Sequence, residues 1–118
     1  MDELEEGILS RGKVDFNGLW EIVRIVQRQK PWLSANENKR EVLAVVRSLV
    51  VKGYATLGRP VNGVFSEWDS SLDESMIRID AEWTNLGQEP NIGEIVWLSN
   101  TSNGDEAITH LRASQEEM

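Results

Sequence analysis

The side chains that could do chemistry are few, and their spacing forms no catalytic or metal-binding set. His110 is the only histidine and the chain has no cysteine, which excludes a thiolate nucleophile and a zinc site built on cysteines. A zinc site of His110 and carboxylates would need convergent ligands that no local spacing provides. We therefore expect no metal site, no cofactor and no enzyme activity.

Acidic residues occur in adjacent pairs, which is one way to build an acid and a base. Two carboxylates take those roles only where their surroundings separate their pKa values. Asp73-Glu74 and Asp105-Glu106 stand at expected helix starts, where negative charge is favoured by about 0.3–1 kcal/mol. Glu5-Glu6 and Glu116-Glu117 belong to the acidic ends of the chain. The glycines match neither the dinucleotide-binding nor the P-loop spacing. A structural role explains all of these residues.

Hydrophobic spacing predicts two long helices in the first half of the chain. The first is expected to begin at Asp15, an N-cap residue, and to end near Gln29 before Pro31. The second is expected from Ala35 to Lys52, with Gly53 closing it. Ahead of them, Leu4, Ile8 and Leu9 predict only a short amphipathic turn.

The second half predicts a hairpin, a third helix, a strand and a closing helix. Asn62-Gly63 suits a type I′ turn between strands at 54–59 and 64–68, and Pro60 shortens the first strand or places it at an edge. Ser71 to Glu74 fits a capping box ahead of an apolar stripe that ends at Gly87. A strand at 95–99 and a helix at 104–112 are expected to follow.

The composition fits one domain over residues 1–118, with a polar, acidic tail that frays at about 114–118. The N-terminus lacks a basic segment followed by an apolar run, which predicts no secretory signal. The longest apolar stretch, Val42 to Val51, is interrupted by Arg47 and too short to cross a bilayer. We expect a cytoplasmic protein without membrane contact, either a monomer or a homodimer.

The order helix, turn, helix, hairpin resembles that of the winged helix-turn-helix superfamily. The segment Arg40 to Tyr54 is similar to its recognition helix and wing entry, where an aliphatic helix commonly ends in Gly before an aromatic or apolar residue. Trp97-Leu98 and Thr101-Ser102-Asn103-Gly104 resemble the exit strand and the opening of the final helix. The resemblance, which extends to small bacterial proteins of similar layout, implies an α+β winged helix-like domain, here with an additional acidic helix at 71–87.

DNA binding is one hypothesis, because charge is distributed unevenly along the chain. Residues 11–59 carry ten bases and four acids, whereas the remaining residues carry two bases and sixteen acids. The candidate phosphate contacts are Lys39, Arg40, Arg47, Lys52 and Arg59. Against this, Glu37 and Glu41 stand on the outward side of the second helix near its N-terminus, where they would repel phosphates.

Protein binding is the hypothesis that we favour, with a partner that is itself basic. Five tryptophans are more than a core of this size requires, and Trp is enriched at interface hot spots. Trp32 and Trp68 are expected to be exposed, whereas Trp20, Trp83 and Trp97 are expected in the core. The acids of the third helix, Asp73, Glu74, Asp80 and Glu82, would face a basic surface, as in an inhibitor, immunity or adaptor protein.

Overall fold

Five helices and four strands occupy most of residues 1–116, the part of the chain that the structure, a computed structural model, describes. The helices are α1 (Glu3–Gly12), α2 (Leu19–Gln29), α3 (Ala35–Val51), α4 (Leu72–Leu86) and α5 (Ser102–Glu116). The strands are β1 (Asn17–Gly18), β2 (Ala55–Val61), β3 (Val64–Glu67) and β4 (Trp97–Asn100). Five helices beside an antiparallel sheet confirm the α+β class.

The strands form one antiparallel sheet with the order β1-β4-β2-β3. Trp97 of β4 pairs with Gly18 on one side and with Gly58 on the other. β2 continues past Pro60, which pairs with Phe65, so Pro60 does not shorten the strand. β4 pairs with β2 only from Ala55 to Gly58. The end of β2 that contains Pro60 therefore has a single neighbouring strand, as the edge alternative predicted.

The hairpin turn has the geometry that its sequence predicts. Asn62 has φ 52° and Gly63 has φ 80°, the pair of positive angles that defines a type I′ turn. Val61 and Val64 face each other directly before and after it. The turn therefore fixes the register of β2 against β3.

α1 is a complete helix where only a short turn was expected. The Asp2 carboxylate accepts the Glu5 N–H at 2.8 Å, and the Glu5 carboxylate accepts the Asp2 N–H at 3.2 Å. This reciprocal capping box starts the helix. Leu4, Ile8 and Leu9 are buried against the core, so tertiary packing stabilises a helix whose own apolar stripe is short.

α2 begins at Leu19, and the prediction of Asp15 as its N-cap was wrong. Asn17 and Gly18 are extended instead, because they pair with Leu98 and Trp97 of β4. The Asp15 carboxylate accepts the Phe16 N–H at 2.8 Å, a purely local bond. A strand about eighty residues further along the chain thus decides where this helix starts.

α4 begins and ends where local chemistry predicts. Ser71 Oγ accepts the Glu74 N–H at 3.1 Å and the Glu74 carboxylate accepts the Ser71 N–H at 3.4 Å. Gly87 closes the helix with φ 65°. Ile79 and Trp83 are buried, and these side chains attach α4 to the core.

The core lies between the sheet and the helices, and every helix contributes to it. Its largest fully buried side chains are Ile8, Leu9, Leu19, Ile22, Leu49, Ile79, Leu98 and Ile108. α5 runs to Glu116, so residues 114–116 of the expected tail are helical. Residues 117 and 118 of that tail lie outside the described residues.

Candidate functional site

Ion pairs join the basic side of α3 to the acidic helix α4. Arg47 contacts the Asp73 carboxylate at 2.7 Å. Lys39 Nζ lies 2.7 Å from Asp80 Oδ1 and donates to Thr84 Oγ1 at 3.0 Å. Two bases proposed for phosphates are therefore matched with two acids proposed for a partner.

Lys52, a third base proposed for DNA, is matched by a carboxylate that the sequence did not single out. Its ammonium contacts both oxygens of Glu5, at 2.7 and 2.9 Å, and Ser48 Oγ donates to Glu5 Oε2 at 3.1 Å. Glu5 is only 2% exposed. The capping-box spacing of Asp2 and Glu5 was readable in the sequence, whereas the contact with Lys52 depends on how α1 packs against α3.

This contact changes both pKa values. Burial raises the pKa of Glu5, but the hydrogen bonds from Lys52, the Asp2 N–H and Ser48 outweigh it, so the net pKa lies below its ordinary value. The hydrogen bond to Glu5 raises the pKa of Lys52. Both groups are therefore charged at neutral pH, and Lys52 stabilises the α1–α3 junction.

Arg40 and Arg59, the other two candidate phosphate contacts, are exposed and have no ion pair with a side chain of residues 1–115. The acid near Arg40 is Glu37, whose pKa is lowered by hydrogen bonds from the Ser34 N–H and hydroxyl. Glu41 pairs with Lys30 at 3.2 Å. The first turns of α3 therefore present two carboxylates beside a single arginine.

The outward face of α4 carries an exposed isoleucine among acids. Ile77 is 70% exposed, and the helical spacing of three and four residues places it beside Asp73, Glu74 and Asp80. Glu74 also caps the helix, and Glu82 pairs with Arg78 of the same helix at 2.9 Å. Sequence reasoning missed Ile77 because it stands next to the stripe through Met76 and Ile79.

The tryptophans divide differently from the prediction. Trp32 is 72% exposed and Trp83 is 7% exposed, as expected. Trp68 is half-buried rather than exposed, because the Arg78 guanidinium lies 3.9 Å from the centre of its ring. Trp20 and Trp97, which were expected in the core, are also half-buried. Of the two tryptophans proposed for binding, Trp32 alone presents most of its surface to solvent.

An open cleft of about 700 Å³ separates the loop that carries Trp32 from the C-terminal end of α4. Pro31 and Leu33 line it from the loop, and Trp83 and Thr84 line it from α4. The Lys39 ammonium is 5.7 Å from the centre of the Trp83 ring. The cleft thus lies between the loop that carries Trp32 and the helix α4, whose outward face carries Ile77.

Other kinds of site are not seen in this part of the chain. No three His, Asp or Glu side chains within residues 1–115 converge on a possible metal position, and His110 is exposed on α5. None of the five described helices has the length and hydropathy of a membrane-spanning segment. Comparison of the chain with protein-family models, curated proteins and solved structures finds no match.

Proposed function

We propose that the protein is a non-enzymatic protein-binding module. Its binding surface, named here the Trp32–α4 face, consists of Trp32 and of Ile77, Asp73, Glu74, Asp80 and Glu82 on α4. The exposure of Trp32 carries the proposal, because tryptophan is enriched at interface hot spots, where it supplies large binding energies.

Charge indicates the kind of partner. Residues 67–94 contain eight acids and one base, and the whole chain has a net charge of −8. Arg47 and Lys39 neutralise only part of this charge, through Asp73 and Asp80. A basic protein therefore fits the face best, with apolar pockets for Trp32 and Ile77, and opposite charge would speed its association. An inhibitor, immunity or adaptor protein would have this form.

A winged-helix DNA-binding regulator is the second candidate. The order α2, a five-residue turn, α3 and a type I′ hairpin favours it, and Arg40 and Arg59 are exposed to receive phosphates. It is the weaker candidate because Lys39, Arg47 and Lys52 are each held by a carboxylate of the chain. DNA that docked on α3 would either break those ion pairs or lie beside the acidic side chains of α4, which would repel its phosphates.

The test uses the wild-type chain, Trp32→Ala and Val64→Ala as baits for affinity capture. Val64, which is 71% exposed at the hairpin, is the control because it matches Trp32 in exposure but lies outside the face. A discrete protein should be enriched by wild type and Val64→Ala and lost with Trp32→Ala. With that partner purified, Trp32→Ala should raise Kd by about 30-fold or more, and Val64→Ala by about twofold at most.

Titration of the protein into labelled duplex DNA completes the test. The proposal predicts no saturable binding at micromolar protein and physiological salt. Nanomolar binding lost in Arg40→Ala, with the salt slope reduced by about one, would establish the regulator instead. Partner capture that Trp32→Ala and Val64→Ala reduce equally would place the binding surface elsewhere.

A further inference from the structure

We propose that Asn62 is a site of spontaneous modification, at which the side-chain amide is lost and aspartate or isoaspartate forms. An asparagine followed by glycine is prone to this reaction, because glycine has no Cβ to hinder attack by its nitrogen. The chain contains three such pairs, Asn17-Gly18, Asn62-Gly63 and Asn103-Gly104. The structure separates them, because the hairpin pair is free to react and the other two are held.

The reaction consumes water and releases ammonia. The Gly63 nitrogen loses its proton and attacks Asn62 Cγ, so an N–Cγ bond forms while the Cγ–Nδ2 bond breaks. The leaving nitrogen takes up a proton and departs as ammonia, and a cyclic succinimide remains. Water then opens the ring at either carbonyl. One product is aspartate, and the other is isoaspartate, whose main chain runs through Cβ and Cγ.

Asn62 and Gly63 are both exposed at the tip of the hairpin. The Gly63 N–H donates to no group that the structure describes, and a Cβ at Gly63 would meet open space. The attack requires the backbone to rotate out of the type I′ turn. That rotation first disturbs the pairing of Val61 with Val64, at an end of β2 that has a single neighbouring strand. Local opening of such a tip has a low free energy.

Asn17 is protected by burial and by hydrogen bonds. It is fully buried, and its Nδ2 donates to the Ile8 carbonyl at 2.8 Å. The Gly18 N–H, which would be the nucleophile, donates to the Glu21 carboxylate at 3.2 Å. Pairing of both residues with β4 keeps them extended. Reaction at Asn17 would therefore require β1 to leave the sheet.

Asn103 is exposed, so exposure alone does not distinguish it from Asn62. Its neighbour Gly104 is buried, and the Gly104 N–H donates to Thr101 Oγ1 at 3.0 Å. A Cβ at Gly104 would overlap the Tyr54 carbonyl oxygen, which shows how closely the backbone is packed there. Gly104 therefore has little room to rotate its nitrogen towards Asn103 Cγ.

The test is incubation of the full chain in mildly alkaline buffer, followed by peptide mapping with mass spectrometry at several times. A methyltransferase specific for isoaspartate identifies that product. In the folded chain Asn62 should lose its amide at least about tenfold faster than Asn17 or Asn103. In guanidinium chloride the three rates should become similar. Asn62→Gln should abolish the hairpin product alone, because glutamine would have to form a larger ring.

Two results would overturn the proposal. One is a folded chain in which Asn62 reacts no faster than Asn103. The other is an advantage of Asn62 that persists undiminished in guanidinium chloride, because it would then come from the flanking residues and not from the fold. Neither result bears on whether Trp32 binds a protein partner.

Discussion

Replacement of Trp83 and of Trp32 by alanine should separate folding from binding. Trp83 is 7% exposed and packs in the core cluster, whereas Trp32 is 72% exposed. An aromatic side chain buries about 150–250 Å², which at about 25 cal/mol per Å² corresponds to about 4–6 kcal/mol. Since alanine keeps a small part of that burial, we expect Trp83→Ala to lower the free energy of unfolding by about 3–5 kcal/mol.

The same reasoning gives a small effect for Trp32. Little more than a quarter of its surface is removed from water, so Trp32→Ala should cost about 1 kcal/mol. For a chain of this length 1 kcal/mol shifts Tm by roughly 3–5 °C, which predicts a loss of roughly 9–25 °C for Trp83→Ala and about 5 °C or less for Trp32→Ala.

The assay is urea unfolding and thermal melting followed by circular dichroism, because tryptophan fluorescence changes with the substitutions themselves. Native far-UV spectra at low temperature provide the control for folding. A Trp83→Ala chain as stable as Trp32→Ala would refute the packing of α4 against the core. A large loss of stability in Trp32→Ala would refute its assignment as a binding residue, since reduced binding would then reflect unfolding.

Two further predictions concern junctions in the fold. The pKa of Glu5 in the folded chain is lowered from its ordinary value of 4.5. Its contribution to stability is therefore present above pH 4.5 and is lost as the pH falls through the lower folded pKa. The fall of the urea midpoint at acidic pH should be smaller in Glu5→Gln than in wild type, and unchanged in the exposed control Glu3→Gln. A Cβ at Gly104 would overlap the Tyr54 carbonyl oxygen, whereas a Cβ at Gly53, which has φ 76°, would meet open space. Gly104→Ala should therefore lower the free energy of unfolding by about 3 kcal/mol or more, and Gly53→Ala by about 1 kcal/mol. Equal urea midpoints for the two variants would contradict the close approach of Gly104 to Tyr54.

Elements defined by local chemistry were predictable from the sequence. The capping box of Ser71 and Glu74, the Asn62-Gly63 turn and the closing glycines Gly53 and Gly87 lie where the residues indicate. Each depends on groups within a few positions in the chain. The expected exposure of Trp32 likewise follows from its place in a short turn after Pro31.

What the sequence could not supply depends on distant partners. Asp15 looked like an N-cap, but pairing of Asn17 with Leu98 makes the following residues extended. Trp68 is covered because α4 places Arg78 over its ring. The ion pairs of Lys39, Arg47 and Lys52 likewise need the packing of α4 and α1 on α3. The candidate DNA-binding and protein-binding residues were thus proposed as separate sets. In the structure two bases of the first set pair with two acids of the second, Lys39 with Asp80 and Arg47 with Asp73.

The most direct measurement of the central claim is amide hydrogen exchange on the chain, free and saturated with its captured protein partner. The Trp32–α4 face predicts added protection in residues 32–35 and along the outward side of α4, at 73–84. Exchange in β2 and β3, at 55–67, should change little. Protection confined to β2, β3 and the first turns of α3, with none in α4, would contradict the account.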